Sequence, residues 1–284
     1  MIRIRLRRFA SQYFGWLVRF FYICFIDFQL KISDKPIILI LTPGKVGSSS
    51  LYFNLKKNLK NPIYHVHRIS KLGIGQSKEE HLKSDRKSLP LHLIISEILH
   101  EKIIRNRTNL IVITVIREPI SRFVSSYFQN IEFYKNRVES SNLKINIDAS
   151  LEILKENCTA NICYELENWF ATEIKQFFDI DVFGLELNSP CVILKELPFI
   201  FLRLEDLQQA WPLVANELSL SKDNANLKDF NVGDNKYYSS AYSQIREQFK
   251  LEEDIFEEII ETKFYKKFYS DRIKLVRKKW VKTS

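Results

Sequence analysis

Short uninterrupted apolar runs alternate along this chain with longer stretches of helical periodicity. Residues 36–42 read P-I-I-L-I-L-T, a run of the length and character that forms a strand buried on both faces of a parallel sheet. It closes in Pro43-Gly44-Lys45-Val46-Gly47 and Ser48-Ser49-Ser50, and a helical pattern follows over 51–59. Residues 62–66 give a second strand. Residues 70–87, polar, charged and glycine-containing, predict a surface loop. A helix over 91–104 leads to the cleanest strand of the chain, N-L-I-V-I-T-V-I at 109–116. That strand stops at Arg117, and Pro119 opens the next helix at a first-turn position where proline is favoured. Phe123, Val124, Tyr127, Phe128 and Ile131 recur on one side of this helix. Helix is predicted over 147–178 with a break near Cys158, then a buried strand at 199–204, Glu205-Asp206, and a helix to about Glu217. From Lys236 onward the pattern is helical, with breaks near Lys250 and Ser270. Strands alternating with helices predict an α/β fold of three layers, with a mainly parallel central sheet and a helical C-terminal segment.

Length and composition add that 284 residues at 45% apolar content make one substantial core or two small ones. The expected division is a basic, aromatic-rich helix over 1–33 followed by one domain over 34–284. The net charge of +9 is uneven. Residues 1–20 carry Arg3, Arg5, Arg7, Arg8 and Arg19 without an acid, and residues 263–284 hold nine Lys or Arg against Asp271 alone. Taking those +5 and +8 from the total leaves the middle at −4. A nucleic-acid binder would interleave basic residues with aromatics along a face of the domain itself, so no nucleic-acid partner is expected. Basic ends suit an anionic membrane surface, a small polyanionic ligand, or simply solvated helices.

Arg19 and Asp27 interrupt the apolar stretch at 13–30, so no run approaches the roughly 20 residues a spanning helix needs. The stretch fits a basic amphipathic helix in peripheral contact with a membrane, or a helix covering one flank of the domain. Cys24, Cys158, Cys163 and Cys191 form no C-x-x-C pair and no metal-ligand spacing. They read as reduced or buried thiols and favour a cytoplasmic location.

The candidate chemistry sits at two strand-to-helix junctions. A glycine-containing loop between a buried strand and a helix N-terminus is an anion site, because free N–H groups and the helix dipole point at the ligand. The NTPase form of such a loop places lysine directly after its second glycine. Here Lys45 stands two residues before Gly47, and the next strong strand ends in Arg117 rather than an aspartate. Both departures disfavour magnesium-dependent NTP hydrolysis.

The order P-x-K-x-G-[ST]-[ST] at 43–49 resembles the 5′-phosphosulfate-binding loop of sulfotransferases. Arg117 with Ser125 eight residues on, in Arg117-Glu118-Pro119-Ile120-Ser121-Arg122-Phe123-Val124-Ser125, resembles their 3′-phosphate-binding segment. The resemblance implies a P-loop, sulfotransferase-like fold. It implies 3′-phosphoadenylyl sulfate as sulfuryl donor, bound by Pro43, Gly44, Lys45, Val46, Gly47, Ser48, Ser49, Arg117 and Ser125. By the same resemblance, Lys45 contacts the bridging oxygen of the phosphosulfate, and no metal is required. Physically, a cation beside a phosphate leaving group stabilises its developing charge. An arginine fork with a hydroxyl two helical turns along can grip one phosphate from two sides.

Residues 179–183 (D-I-D-V-F) and Arg203-Leu204-Glu205-Asp206-Leu207 look like segments of carbohydrate sulfotransferases. Asn235-Lys236-Tyr237-Tyr238-Ser239 resembles the N-K-W-Y-S signature of a capsular polysaccharide synthesis family, with tyrosine in place of tryptophan. Together these imply transfer of a sulfuryl group to a carbohydrate hydroxyl in surface or capsular polysaccharide synthesis. A non-catalytic nucleotide-binding scaffold of polysaccharide assembly is the alternative.

A hydroxyl acceptor must lose a proton as sulfur is attacked. His65 and His67 share one face at the end of the second strand, where strand C-termini open onto the ligand crevice. His67 is the expected base, with Glu205 and Glu118 behind it; a satisfied or partly exposed histidine is the competing reading.

Overall fold

The computed structural model describes residues 15–83, 89–105, 109–138, 145–186, 190–195, 197–220 and 238–282. In chain order its main elements begin with α1 (Gly15–Ile32), β1 (Ile37–Leu41), α2 (Ser48–Asn58), β2 (Ile63–Val66), α3 (Lys71–Lys83), α4 (Leu91–Arg105) and β3 (Leu110–Ile116). There follow α5 (Pro119–Gln129), α6 (Ile147–Asn157), α7 (Asn161–Trp169), β4 (Cys191–Leu194), β5 (Phe199–Arg203) and α8 (Leu207–Glu217). The chain closes with α9 (Ser239–Gln248), α10 (Glu253–Ile260), α11 (Lys263–Phe268) and α12 (Ile273–Trp280). These elements form two compact units, residues 1–116 with 169–228 and residues 117–168 with 229–284.

The first unit holds the sheet, in the order β2-β1-β3-β5-β4, parallel except for the β4–β5 pair. The expected α/β class with a mainly parallel sheet is therefore what the chain forms. Every residue of β1 is buried, as its unbroken apolar run requires. On one face Ile38, Ile40, Ile113, Val115, Ile200 and Leu202 pack with Leu51 and Leu55 of α2 and Trp211 and Val214 of α8. At about 25 cal/mol per Å2 of apolar surface removed from water, this layer is what holds α2, and the loop before it, against the sheet.

One sequence expectation fails here, and one strand has no counterpart among those the sequence predicts. The loop expected over 70–87 is, among the described residues, helix α3 over Lys71–Lys83. Gly73 and Gly75 lower the intrinsic helix propensity of that segment, but Gly73 lets α3 pack against a buried side chain, and tertiary contact overrides propensity. The antiparallel edge strand β4 was not foreseen. It is four residues long and only Cys191 in it is buried, so it carries no apolar run.

The second unit is helical. Phe128 of α5 lies between Tyr238 and Tyr242, with ring centroids 5.3 and 5.0 Å away. Glu167 of α7 accepts the Phe264 N–H of α11 at 2.8 Å. Cys158 and Cys163 are buried here, and burial pushes both thiols up, Cys163 to about 12. All four cysteines are free thiols, with Cys24 exposed. The break near Cys158 falls where expected, between α6 and α7. Asn235, Lys236 and Tyr237 lie outside the described residues. No described helix is long and apolar enough to cross a membrane.

Candidate functional site

In the first unit, residues 42–47 carry the chain from the buried end of β1 to the start of α2. The turn is tight: the Gly44 N–H donates to the Thr42 carbonyl at 2.9 Å. Gly44, Lys45 and Gly47 have φ of +39°, +64° and +72°, so three of these residues are left-handed. The two glycines accept this at no steric cost, whereas Lys45 carries side-chain strain of the kind that collects at functional sites. Val46 is fully buried and plugs the loop into the core beneath α2. Gly47 is the N-cap of α2, so no side chain caps the helix, and its first turn has no acidic residue. Ser48 and Ser49 thus open an eleven-residue helix whose N-terminal N–H groups and dipole favour an anion. Beside the loop the buried Thr42 Oγ1 has no hydrogen-bond partner among the described residues.

His67 is brought to this loop. Its Nδ1 lies 2.8 Å from the Thr42 carbonyl oxygen, and its Cε1 lies 3.9 Å from where a Cβ on Gly44 would be. A carbonyl only accepts, so the neutral ring carries its proton on Nδ1 and its lone pair on Nε2. That tautomer is the one a general base needs. The His67 ring meets those of His65 and His92 at 5.0 and 5.8 Å. Burial and the neighbouring imidazoles lower His65 to about 3 and His92, at a more exposed position, to about 4. Both are therefore neutral near pH 7. Among the described residues no group of three or more His, Cys, Asp or Glu side chains is placed to hold a metal ion.

A clamp that sequence reasoning missed holds the chain after His67. Helix α7 continues through a π-helical turn, Phe170–Lys175, and the Trp169 Nε1–H donates to the His67 carbonyl at 2.8 Å. From the π turn, Glu173, fully buried, accepts the Ile69 and Ser70 N–H groups at 2.6 and 2.8 Å and the Ser70 hydroxyl at 3.1 Å. His100 Nδ1 donates to the Ile69 carbonyl at 2.7 Å. Residues 67–70 are so fixed from three sides. No sequence signal marks Glu173, which reads as one more acid in a helical run; π turns do occur disproportionately at functional sites. Glu205 is exposed on the short helical turn Leu204–Asp206 after β5, whose Leu204 packs on Gly47.

The second unit starts at the other junction. Arg117, half-buried, directly follows β3, and Ser125 lies in the second turn of α5. Glu118 between them is not available as a base. Its oxygens accept the Ile120 and Ser121 N–H groups, both at 2.8 Å, and the Trp280 Nε1–H at 3.1 Å. Burial raises its pKa, opposed by hydrogen bonds from the Ser121 side chain and the Ser121 and Ile120 N–H groups and by Lys279. Lys279 also donates to the Ser121 hydroxyl at 3.1 Å. Glu118 and α12 thus fix the start of α5, next to Arg117.

Comparison with known families matches residues 142–270 to the family described as "Putative capsular polysaccharide synthesis protein". Neither the curated proteins nor the solved structures contain a match to this chain. A second family model, described as the sulfotransferase family, matches residues 29–179. That match spans more than half of the chain and runs through both the loop after β1 and the β3–α5 junction, and the chain belongs to the sulfotransferase family.

Proposed function

We propose that this chain transfers a sulfuryl group from 3′-phosphoadenylyl sulfate to a carbohydrate hydroxyl. The observation that carries the reading is the pairing, within one unit, of an uncapped anion loop bearing Lys45 with His67 held by the Thr42 carbonyl as the Nδ1–H tautomer. The residues present fit such a donor: left-handed Gly44 and Gly47 expose backbone, Ser48 and Ser49 head α2, and a buried threonine hydroxyl beside them lacks a partner. The donor supplies a sulfuryl group and a phosphate leaving group.

Pro43, Gly44, Val46, Gly47, Ser48 and Ser49 bind its 5′-phosphate through loop backbone and hydroxyls. Lys45 neutralises charge on the leaving phosphate. Arg117 and Ser125 take the 3′-phosphate. His67 accepts the acceptor hydroxyl's proton at Nε2 as the new oxygen–sulfur bond forms and the sulfur–phosphate oxygen bond breaks. A sulfuryl group carries less charge than a phosphoryl group, so Lys45 suffices and the reaction needs no metal. The match to a capsular polysaccharide synthesis family over 142–270 supports a polysaccharide acceptor.

Calorimetry with adenosine 3′,5′-bisphosphate tests the donor site on the whole chain. The expected result is binding that ATP with magnesium does not equal and that falls at least about 100-fold in Arg117→Ala, the loss of a bidentate charged pair. A preference for ATP with magnesium sinks the proposal. Binding without any sulfuryl transfer leaves a nucleotide-binding scaffold.

A further inference from the structure

Helix α1 is two-faced, and the charged residues that break its apolar run in sequence are turned toward the protein. Arg19 pairs with Glu97 at 2.8 Å and Asp27 with Lys102 at 2.5 Å, both on α4. Gln29 accepts from the Tyr64 hydroxyl at 2.9 Å, and Ile26 is buried. The opposite face is a stripe that no described residue covers: Trp16 is 72% exposed, Phe20 60%, Phe21 63%, Phe28 61% and Ile32 66%. Sixteen residues separate its ends, roughly 24 Å along the axis. The exposed Lys31 interrupts the stripe only in the last turn, and soluble surfaces rarely carry so large an apolar patch without an occupant.

We infer that this stripe lies on an anionic lipid surface, in the plane of the headgroups. Charge decides the occupant. Arg3, Arg5, Arg7 and Arg8 precede the helix in sequence, and no acid occurs before Asp27. A second copy seated on the stripe would bring two such arginine segments together, whereas an anionic bilayer complements both the arginines and the aromatic face. The two ion pairs to α4, with the buried Ile26, orient the helix so that its apolar face is turned outward.

Flotation of the full chain with vesicles tests this, using pure phosphatidylcholine and the same lipid with about one-third phosphatidylglycerol. The expected result is binding to the anionic vesicles only, weakening as salt rises. Each arginine near such a surface contributes about fivefold, so glutamine at positions 3, 5, 7 and 8 should weaken binding several hundred-fold. The double variant Phe20→Glu/Phe28→Glu should abolish binding while leaving the thermal midpoint and nucleotide binding unchanged, because both side chains are exposed. The inference is overturned if the wild type does not float, or floats equally with neutral vesicles. It is also overturned if the phenylalanine variant still binds, or if that variant instead dissolves a dimer of the wild type.

Discussion

Gly73 and Glu173 provide a test in which one substitution should change sign with its background. A Cβ on Gly73 would stand 1.7 Å from Glu173 Oε1 and 2.9 Å from its Cδ, so Gly73→Ala must displace the carboxylate. The carboxylate cannot move without releasing the Ile69 and Ser70 N–H groups and the Ser70 hydroxyl. Hydrogen bonds to a charged group are worth about 1.5–3 kcal/mol each, and stranded buried donors add to the loss. Glu173→Ala should therefore cost about 3–5 kcal/mol, and Gly73→Ala about 2–4 kcal/mol through partial loss of the same bonds and overpacking. With Glu173 already alanine, only a 3.1 Å approach to the flexible Arg68 side chain remains. Gly73 lies inside α3, so Gly73→Ala should there stabilise by about 0.5–1 kcal/mol through helix propensity. Guanidinium unfolding of the four proteins measures the cycle, with an expected coupling of about 2.5–5 kcal/mol. Equal costs of Gly73→Ala in both backgrounds would refute the packing of Glu173 beneath residues 67–70. Adenosine 3′,5′-bisphosphate binding in the double variant then shows how far the clamp serves the loop.

Other consequences follow from the same geometry. The unfolded His65 imidazole takes a proton below about pH 6.5, whereas the folded one resists down to about 3. Between those values the unfolded state binds more protons, so stability present at pH 7 is lost as pH falls. At pH 5 the His65 share of that loss is about 2 kcal/mol; because His92 is lowered in the same way, His65→Gln should reduce but not abolish the slope in unfolding curves taken from pH 7 to pH 4, and an unchanged slope would contradict it. Gly47→Ala imposes φ of +72° on a side chain and sets its Cβ 2.6 Å from the flexible end of Leu204. It should cost about 1–2 kcal/mol and weaken adenosine 3′,5′-bisphosphate binding in calorimetry, while Gly75→Ala, which meets nothing within 4 Å, should do neither. Glu118→Ala strips the cap of α5 and the partner of Trp280, and should lower stability by about 2–4 kcal/mol in chemical unfolding.

The sheet was legible where its strands are apolar on both faces. β1, β3 and β5 each read as an unbroken run, and the loop after β1 announced itself through two glycines in a chain that has seven. β4 was not, because a half-buried antiparallel edge strand lacks that signature. Nor was α3, whose glycines and charges read as a loop until the contact of Gly73 with Glu173 is known. His67 could be placed at a strand end from alternation alone. What orients it could not, since the Thr42 carbonyl, the Trp169 indole and the Glu173 carboxylate come from distant parts of the chain, with Glu173 bonded 104 residues from Ile69. Glu118 shows the opposite error: an acid beside Arg117 reads as chemistry, yet its oxygens are taken by helix-capping N–H groups and an indole.

Incubation of the purified chain with sulfate-labelled 3′-phosphoadenylyl sulfate and a panel of polysaccharides tests the central claim most directly. The account predicts label in polysaccharide, with equal release of adenosine 3′,5′-bisphosphate and no need for magnesium. It predicts a fall of about 100–1,000-fold in Lys45→Ala and of about 100-fold or more in His67→Gln. Transfer by Lys45→Ala at the wild-type rate, or no transfer to any acceptor by a chain that binds the donor, would contradict it.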